Sequence, residues 1–199
     1  MKLFPQIFTA GIANSGTSFL TELVVRATGL SPGPADGLKP ADHNNRYGFW
    51  EYLPLRRAFW MASGGNFDVQ KIPVAPVRPN SAIGQPLADM ARSHGVEVFK
   101  CVKLPWIYPW FEPRKAIVIF RSADTIYRNH PSAMTPNEYR GAHTRYYDMA
   151  AKYLEADWDI LHVRYEDFLT DTEKQIERVC EYLGCPYHKW LLHTFRPRE

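Results

Sequence analysis

The stretch Thr9-Ala-Gly-Ile-Ala-Asn-Ser-Gly-Thr-Ser-Phe-Leu20 decides how the rest of the chain is read. It leaves an apolar segment, Leu3 to Phe8, and enters an amphipathic one, Phe19 to Thr28, so it reads as strand, glycine-bearing turn and helix start. Gly11 and Gly16 let the backbone turn tightly and come close to a ligand. Ser15, Thr17 and Ser18 bring hydroxyls and free N–H groups to a helix N-terminus, whose dipole favours an anion. The spacing fits a GxxxxGK motif followed by Ser or Thr, except that Thr17 stands in place of the lysine. Nucleotide triphosphatases set that lysine against the β- and γ-phosphates, so its absence argues against ordinary ATP or GTP chemistry.

The remaining elements alternate. Beyond the first helix, the glycine- and proline-rich segment Gly29 to Arg46 has no periodicity and reads as a loop long enough to be mobile or functional, ending in Tyr47-Gly-Phe-Trp-Glu-Tyr52. Helices are expected over Leu53 to Ala62 and over Ser81 to His94, with Ser81 as N-cap and Gly95 as stop; a loop from Ser63 to Asn80 separates them. Val96 to Val102 reads as a buried strand, and the prolines of Lys103 to Trp110 argue against a regular element there. Lys115 to Phe120 is the clearest central strand, followed by helices over Ala123 to Asn129 and Pro136 to about Glu155. Trp158 to Val163 is a further buried strand, and Thr172 to Leu183 a helix closed by Gly184.

This order predicts an α/β fold: three layers, with a mostly parallel sheet flanked by helices and ligands gathered at the strand C-terminal ends. With 199 residues and 45% hydrophobic content, one domain spanning 1–199 is expected. The 24 basic and 21 acidic residues leave a net charge of +3, too even for an electrostatic nucleic-acid binder, so no nucleic-acid partner is expected. No apolar run reaches the length of a membrane span, and the N-terminal residues, interrupted by Pro5, do not read as a signal peptide. Cys101, Cys180 and Cys185 form neither an even disulfide set nor a paired CxxC pattern, which fits a reducing cytoplasm. The strand ends carry Asn14 to Ser18, Lys100 with Lys103, Arg121, and Arg164 with Tyr165. Cations and a phosphate loop thus converge on one edge, and no strand ends in the aspartate that would hold Mg²⁺. A polyanion bound by protein cations, without a metal, is the expectation.

These residues resemble the PAPS-dependent sulfotransferases, a family with a P-loop-related fold whose members move a sulfuryl group from 3′-phosphoadenosine 5′-phosphosulfate (PAPS) to a hydroxyl or amine. Ser15-Gly-Thr-Ser-Phe19 looks like the family's 5′-phosphosulfate loop. The resemblance implies that Asn14, Ser15, Gly16, Thr17 and Ser18 hold the phosphosulfate and that Phe19 lies near the adenine. Ile117-Val-Ile-Phe-Arg121 looks like the 3′-phosphate segment, which assigns that phosphate to Arg121 and, where the family has serine, to Asn129. Ile160-Leu-His-Val-Arg-Tyr-Glu-Asp167 is similar to a segment whose tyrosine, here Tyr165, lies by the adenine, and Tyr47-Gly-Phe-Trp-Glu51 resembles an element of bacterial members. The chain departs from the pattern at Asn14, where a cation is common, and at Lys103, where cytosolic members carry a histidine base. It has no glycine-rich segment to close over the cofactor, a role left to Arg196 and Arg198.

On this resemblance, the acceptor attacks sulfur in line while 3′,5′-diphosphoadenosine (PAP) leaves, and a cation must meet charge on the departing phosphate. Lys103 and Lys100 are the candidates. Glu51, flanked by aromatic residues, is the candidate base, ahead of His94, His130 and His143. Trp50, Tyr52, Trp106, Tyr108 and Trp110 suggest an apolar or sugar-like acceptor, or belong to the core. Two alternatives stay open: a metal-using P-loop kinase with Ser18 and Asp167 at Mg²⁺, and a non-catalytic nucleotide-binding or interaction protein.

Overall fold

The computed structural model describes residues 4–42, 45, 48–62, 81–112, 114–129 and 134–195, with the side chains of 60, 62 and 81–83 left aside. Tyr47, the loop over 63–80, His130, Arg196 and Arg198, all singled out above, lie outside the described residues, as does the side chain of Ser81.

Strand β1, Ile7–Ala10, is buried along its whole length because it has a strand on either side. The sheet order is β2-β1-β3-β4, where β2 is Val98–Lys100, β3 Lys115–Phe120 and β4 Asp159–Arg164, and every pairing is parallel. The expected α/β class is therefore observed. Alternate strand residues face opposite layers. Phe8, Ala10, Phe99, Ala116 and Val118 join one core cluster, and Ile7, Val98, Ile117, Ile119 and Val163 the other. Burying each large apolar side chain contributes about 1.5–3 kcal/mol, so residues such as Phe8 and Ile117 fix which way each strand faces.

The first layer is built from α2 (Leu53–Ala62), α3 (Ser81–Ser93), α4 (Leu104–Ile107), α5 (Ala123–Asn129) and α6 (Pro136–Met149). The opposite layer holds α1 (Thr17–Thr28), α8 (Tyr165–Thr170), α9 (Thr172–Leu183) and a 3-10 turn over Lys189–Thr194. Helix α6 starts on a capping box between Thr135 and Glu138, and then widens into a π turn over Ala150–Leu154 before the short α7, Glu155–Asp157. The single helix expected to Glu155 is thus broken by that wide turn.

Four expectations need correction. The strand expected to be buried over Trp158 to Val163 is β4, of which Val163 alone is buried, because it is an edge strand paired with β3 only. The strand expected over Val96 to Val102 is three residues long. Lys103 to Trp110 is regular after all: Pro105 falls in the first turn of α4, where a missing N–H costs nothing, and a 3-10 turn over Tyr108–Trp110 follows. Helix α8 was not foreseen; six residues are too few to develop a readable period.

Helix α6 also supports the end of β3. His143 Nε2 lies 2.7 Å from the Arg121 carbonyl oxygen, to which the neutral ring donates. Burial lowers the His143 pKa from the ordinary 6.5, against the opposing influence of that carbonyl, Glu166 and Asp124. A depressed folded-state pKa means stability that is full above the unfolded value and declines as pH falls toward the folded one. The melting temperature is therefore expected to drop as pH falls below about 6.5. In His143→Gln this component of the pH dependence should vanish; a curve parallel to the wild type's in differential scanning fluorimetry would exclude His143 as its source.

Candidate functional site

The loop from β1 to α1 is held from below. Tyr146 Oη accepts from the Gly11 N–H at 3.0 Å, and Tyr147 Oη accepts from Ile12 N at 3.4 Å while donating to the Ile119 carbonyl at 2.8 Å. Burial holds both phenols above their ordinary pKa, so they stay neutral. Thr21 Oγ1 donates to the Thr17 carbonyl at 2.7 Å, and its proton is thereby committed. The 2.6 Å contact to Thr9 Oγ1 is therefore a donation from Thr9, and it pins α1 to β1.

Gly16, at φ 103°, is the N-cap of α1 and leaves the first turn without a side-chain cap. A Cβ at Gly16 would sit 2.7 Å from the Tyr165 ring, so both space and conformation require glycine. The same ring carries Arg121, whose guanidinium carbon lies 4.4 Å from the ring centroid. Arg121 is buried; its Nη1 donates to the Asn14 carbonyl at 3.2 Å, and its Nε has no partner among the described residues. Asn14 itself is left-handed at φ 66°, a conformation asparagine tolerates better than most residues.

On the other flank, Lys100 ends β2 with its side chain 5% exposed. Its Nζ donates to Ser18 Oγ at 2.9 Å and to the Phe49 carbonyl at 3.2 Å, and lies 3.1 Å from Glu51 Oε1. Glu51 Oε2 meets Arg56 Nη1 at 2.8 Å, and Lys39 Nζ stands 3.3 Å above the Phe49 ring. Burial is the main cause that lowers the Lys100 pKa; Glu51 opposes it, while Lys39 and Arg56 add to it.

These groups enclose a cleft of about 240 Å³. It brings together Asn14, Gly16, Thr17, Ser18, Phe19, Glu51, Lys100, Arg121 and Tyr165, all singled out from sequence. Ser15 is fully buried behind the loop. Lys103 caps α4, half-buried, and Asn129 is exposed at the end of α5; neither lines the cleft, nor does Asp167. Tyr52, Trp106 and Trp110 belong to the core, whereas Trp50 lines the cleft. His94 bonds to Tyr52 Oη through Nδ1 at 2.6 Å. Sequence reading missed Glu22, Lys39, Arg56 and Thr194, which also line the cleft, and the bracing pair Tyr146 and Tyr147. For Glu22 a signal existed, since it lies three residues after Phe19 on the same helix face.

Residues 114–189 match the sulfotransferase family. This segment supplies β3, Arg121, α6, β4 and Tyr165, whereas the loop, Glu51 and Lys100 precede it. The whole chain aligns, at 13% identity and a TM-score of 0.55, with 80% of the sulfotransferase domain from the curacin biosynthetic pathway. Sulfotransferase STF1 from Mycobacterium tuberculosis H37Rv aligns over 97% of this chain and 71% of its own, at 13% identity and a TM-score of 0.52. The chain spans 64% of retinol dehydratase, at a TM-score of 0.48 and 15% identity. No curated protein matches the chain. The first two likenesses establish a sulfotransferase-type fold. Among the described residues no cluster suited to a metal ion is found, and no helix is long and apolar enough to cross a membrane.

The Glu51 pairing makes a measurable claim. In Glu51→Gln, Lys100 loses the carboxylate that opposes its desolvation, so its folded-state pKa falls further. The resulting destabilisation, of the order of 1–3 kcal/mol, should be full below that pKa and fade as pH climbs toward the ordinary lysine value. Denaturant titrations at pH 7 and pH 10 test this: a loss equal at both would detach the effect from Lys100.

Proposed function

We propose that this chain is a sulfotransferase that moves a sulfuryl group from PAPS to a hydroxyl or amine of a small-molecule or carbohydrate acceptor, leaving PAP. The observation that carries the reading is Lys100: a buried ammonium 2.9 Å from Ser18 Oγ brings a cation from β2 to a phosphate loop that lacks its own lysine. The residues present fit the nucleotide. The first turn of α1, without a side-chain cap among the described residues, offers N–H groups to an anion, and Arg121 Nε, without a partner among them, is a buried donor that a phosphate oxygen would satisfy.

PAPS, when bound, supplies an activated sulfuryl group. The chain's own part is positioning and charge. Asn14 to Ser18 hold the phosphosulfate, Arg121 takes the 3′-phosphate, and Phe19 and Tyr165 give the adenine aromatic faces. Lys100 stabilises negative charge as it develops on the departing phosphate, ahead of Lys103, which lies outside the cleft lining. An anion engaging Lys100 competes with Glu51 for it, which frees Glu51 Oε1 to accept the proton of the acceptor hydroxyl or amine. Cys101, Cys180 and Cys185 are all free thiols, in keeping with work in a reducing compartment such as the cytoplasm.

Calorimetric titration with PAP in EDTA, in parallel with ATP and Mg²⁺, is the primary test. Micromolar binding of PAP is expected, and a strict need for Mg²⁺ would favour the kinase reading, in which Ser18 would have to exchange Lys100 for the metal. In a labelled-sulfate transfer screen, Lys100→Met should lower turnover by about a hundredfold or more, with PAP affinity changed only a few-fold. Normal turnover in that variant would remove Lys100 from the chemistry.

Arg121→Ala should weaken PAP by at least about tenfold more than it weakens adenosine 5′-phosphosulfate, which lacks the 3′-phosphate. Equal losses for the two ligands would mean that Arg121 serves only the fold, through Asn14 and Tyr165.

A further inference from the structure

Glu22 is a carboxylate where the phosphate chemistry has no use for one. It lies on α1 four residues beyond Ser18 and three beyond Phe19, so all three share a helix face, and it lines the same cleft. Its residue exposure is 4%. Its Oε1 accepts from Arg26 Nε at 2.8 Å, yet the Arg26 side chain is 43% exposed against 6% for Glu22. A helix ion pair that served only stability would leave both partners in water, where such pairs cost least to form. Here the cation stays outside, while the carboxylate belongs to a buried residue that lines the cleft. A buried carboxylate offers about four acceptor sites, and one arginine N–H uses one of them. The cleft surface around Glu22 therefore accepts hydrogen bonds, in contrast to the donor-rich loop.

From Thr17 to Glu22 the helix rises about 7.5 Å. That is of the order of the span from a nucleotide's 5′-phosphate to the outer edge of its base. Phe19 lies between the two points and offers an aromatic face. Thr194 lines the cleft as well, and its hydroxyl proton is committed to the Leu191 carbonyl at 2.7 Å, so its oxygen is another acceptor.

We infer that Glu22 reads the exocyclic amine of the nucleotide's base, so that the cleft selects a 6-aminopurine over a 6-oxopurine. The inference rests on the sulfotransferase reading above and extends it to base specificity. An amine donates to the carboxylate; a carbonyl oxygen in the same place faces it with a second acceptor. A site built to pair with a donor discriminates strongly against an analogue that lacks it, because a buried polar group is then left without a partner.

The test compares 3′,5′-diphosphoadenosine with 3′,5′-diphosphoinosine, equal in phosphate charge and sugar, by calorimetry on the full chain. The wild type should prefer the adenosine compound by about tenfold or more. Glu22→Gln, whose amide presents a donor or an acceptor according to its orientation, should narrow the preference to within about threefold, mainly by gaining on the inosine compound. Arg26→Met breaks the ion pair but leaves the carboxylate, and should retain the preference. Equal binding of both compounds by the wild type overturns the inference while leaving the sulfotransferase reading intact. So does a full preference surviving in Glu22→Gln. Loss of preference in Arg26→Met as well as in Glu22→Gln would reduce Glu22 to a structural role. Binding of neither compound by the wild type defeats the proposed function, and this inference with it.

Discussion

A lysine ammonium taken out of water is the constraint on which this cleft depends. Desolvation of Lys100 is tolerable only because Ser18, the Phe49 carbonyl and Glu51 surround it, drawn from two other parts of the chain. Ser18 belongs to the first turn of α1. Phe49 and Glu51 belong to the segment entering α2, tied down by the Lys39 N–H donating to the Glu51 carbonyl at 2.8 Å. Lys100 itself is fixed by register, opposite Thr9 of β1. A slip of one residue in β2 would turn Lys100 to the other face of the sheet and put Phe99, a core residue, in its place. The apolar core therefore sets the register, and the register aims the cation.

The opposite flank is governed by one aromatic ring. Tyr165 packs against both Gly16 and Arg121, so the glycine of the loop, the arginine after β3 and the first residue of α8 meet at one ring. Below it, Glu166 Oε1 accepts from the Ser122 N–H at 2.8 Å and secures the turn that follows Arg121. His143 holds the Arg121 carbonyl from behind. A guanidinium buried in this way has few rotamers left to lose to any anion it would bind, which is what preorganisation means in energetic terms.

Much of this was legible in the chain because it is written in local patterns. The β-branched run of β3, the glycine pair of the first loop and the cations at strand ends identify a parallel sheet and one edge of it, and Asn14, Gly16 to Phe19, Lys100, Arg121 and Tyr165 do line one cleft there. What stayed hidden depends on distant contacts. Nothing around Tyr146 and Tyr147 says that two phenols 135 residues away brace Gly11 and Ile12. Lys39 sits in a loop without periodicity, and only packing brings it over Phe49. Lys100 and Lys103 are indistinguishable by spacing; they differ because β2 stops at residue 100 and the chain turns at once into α4. Prolines misled in the same segment, since a proline that forbids a helix interior is welcome in its first turn.

The missing loop cation follows from the same geometry. Position 14 is left-handed, and its carbonyl faces the Arg121 guanidinium. A lysine there would carry the backbone cost of that conformation, roughly 1–2 kcal/mol for a residue with a long side chain, which asparagine partly escapes through local hydrogen bonding. It would also add a third positive charge beside Arg121 and Lys100, and Lys100 already titrates low because of burial, Lys39 and Arg56. Two cations serving one phosphate would repel each other whenever no anion is bound. With Lys100 reaching the first turn of α1 from β2, asparagine at position 14 is the less strained partner. The two positions are best understood as one choice: the charge comes from the sheet, and the loop keeps the conformation that lets Arg121 lock it.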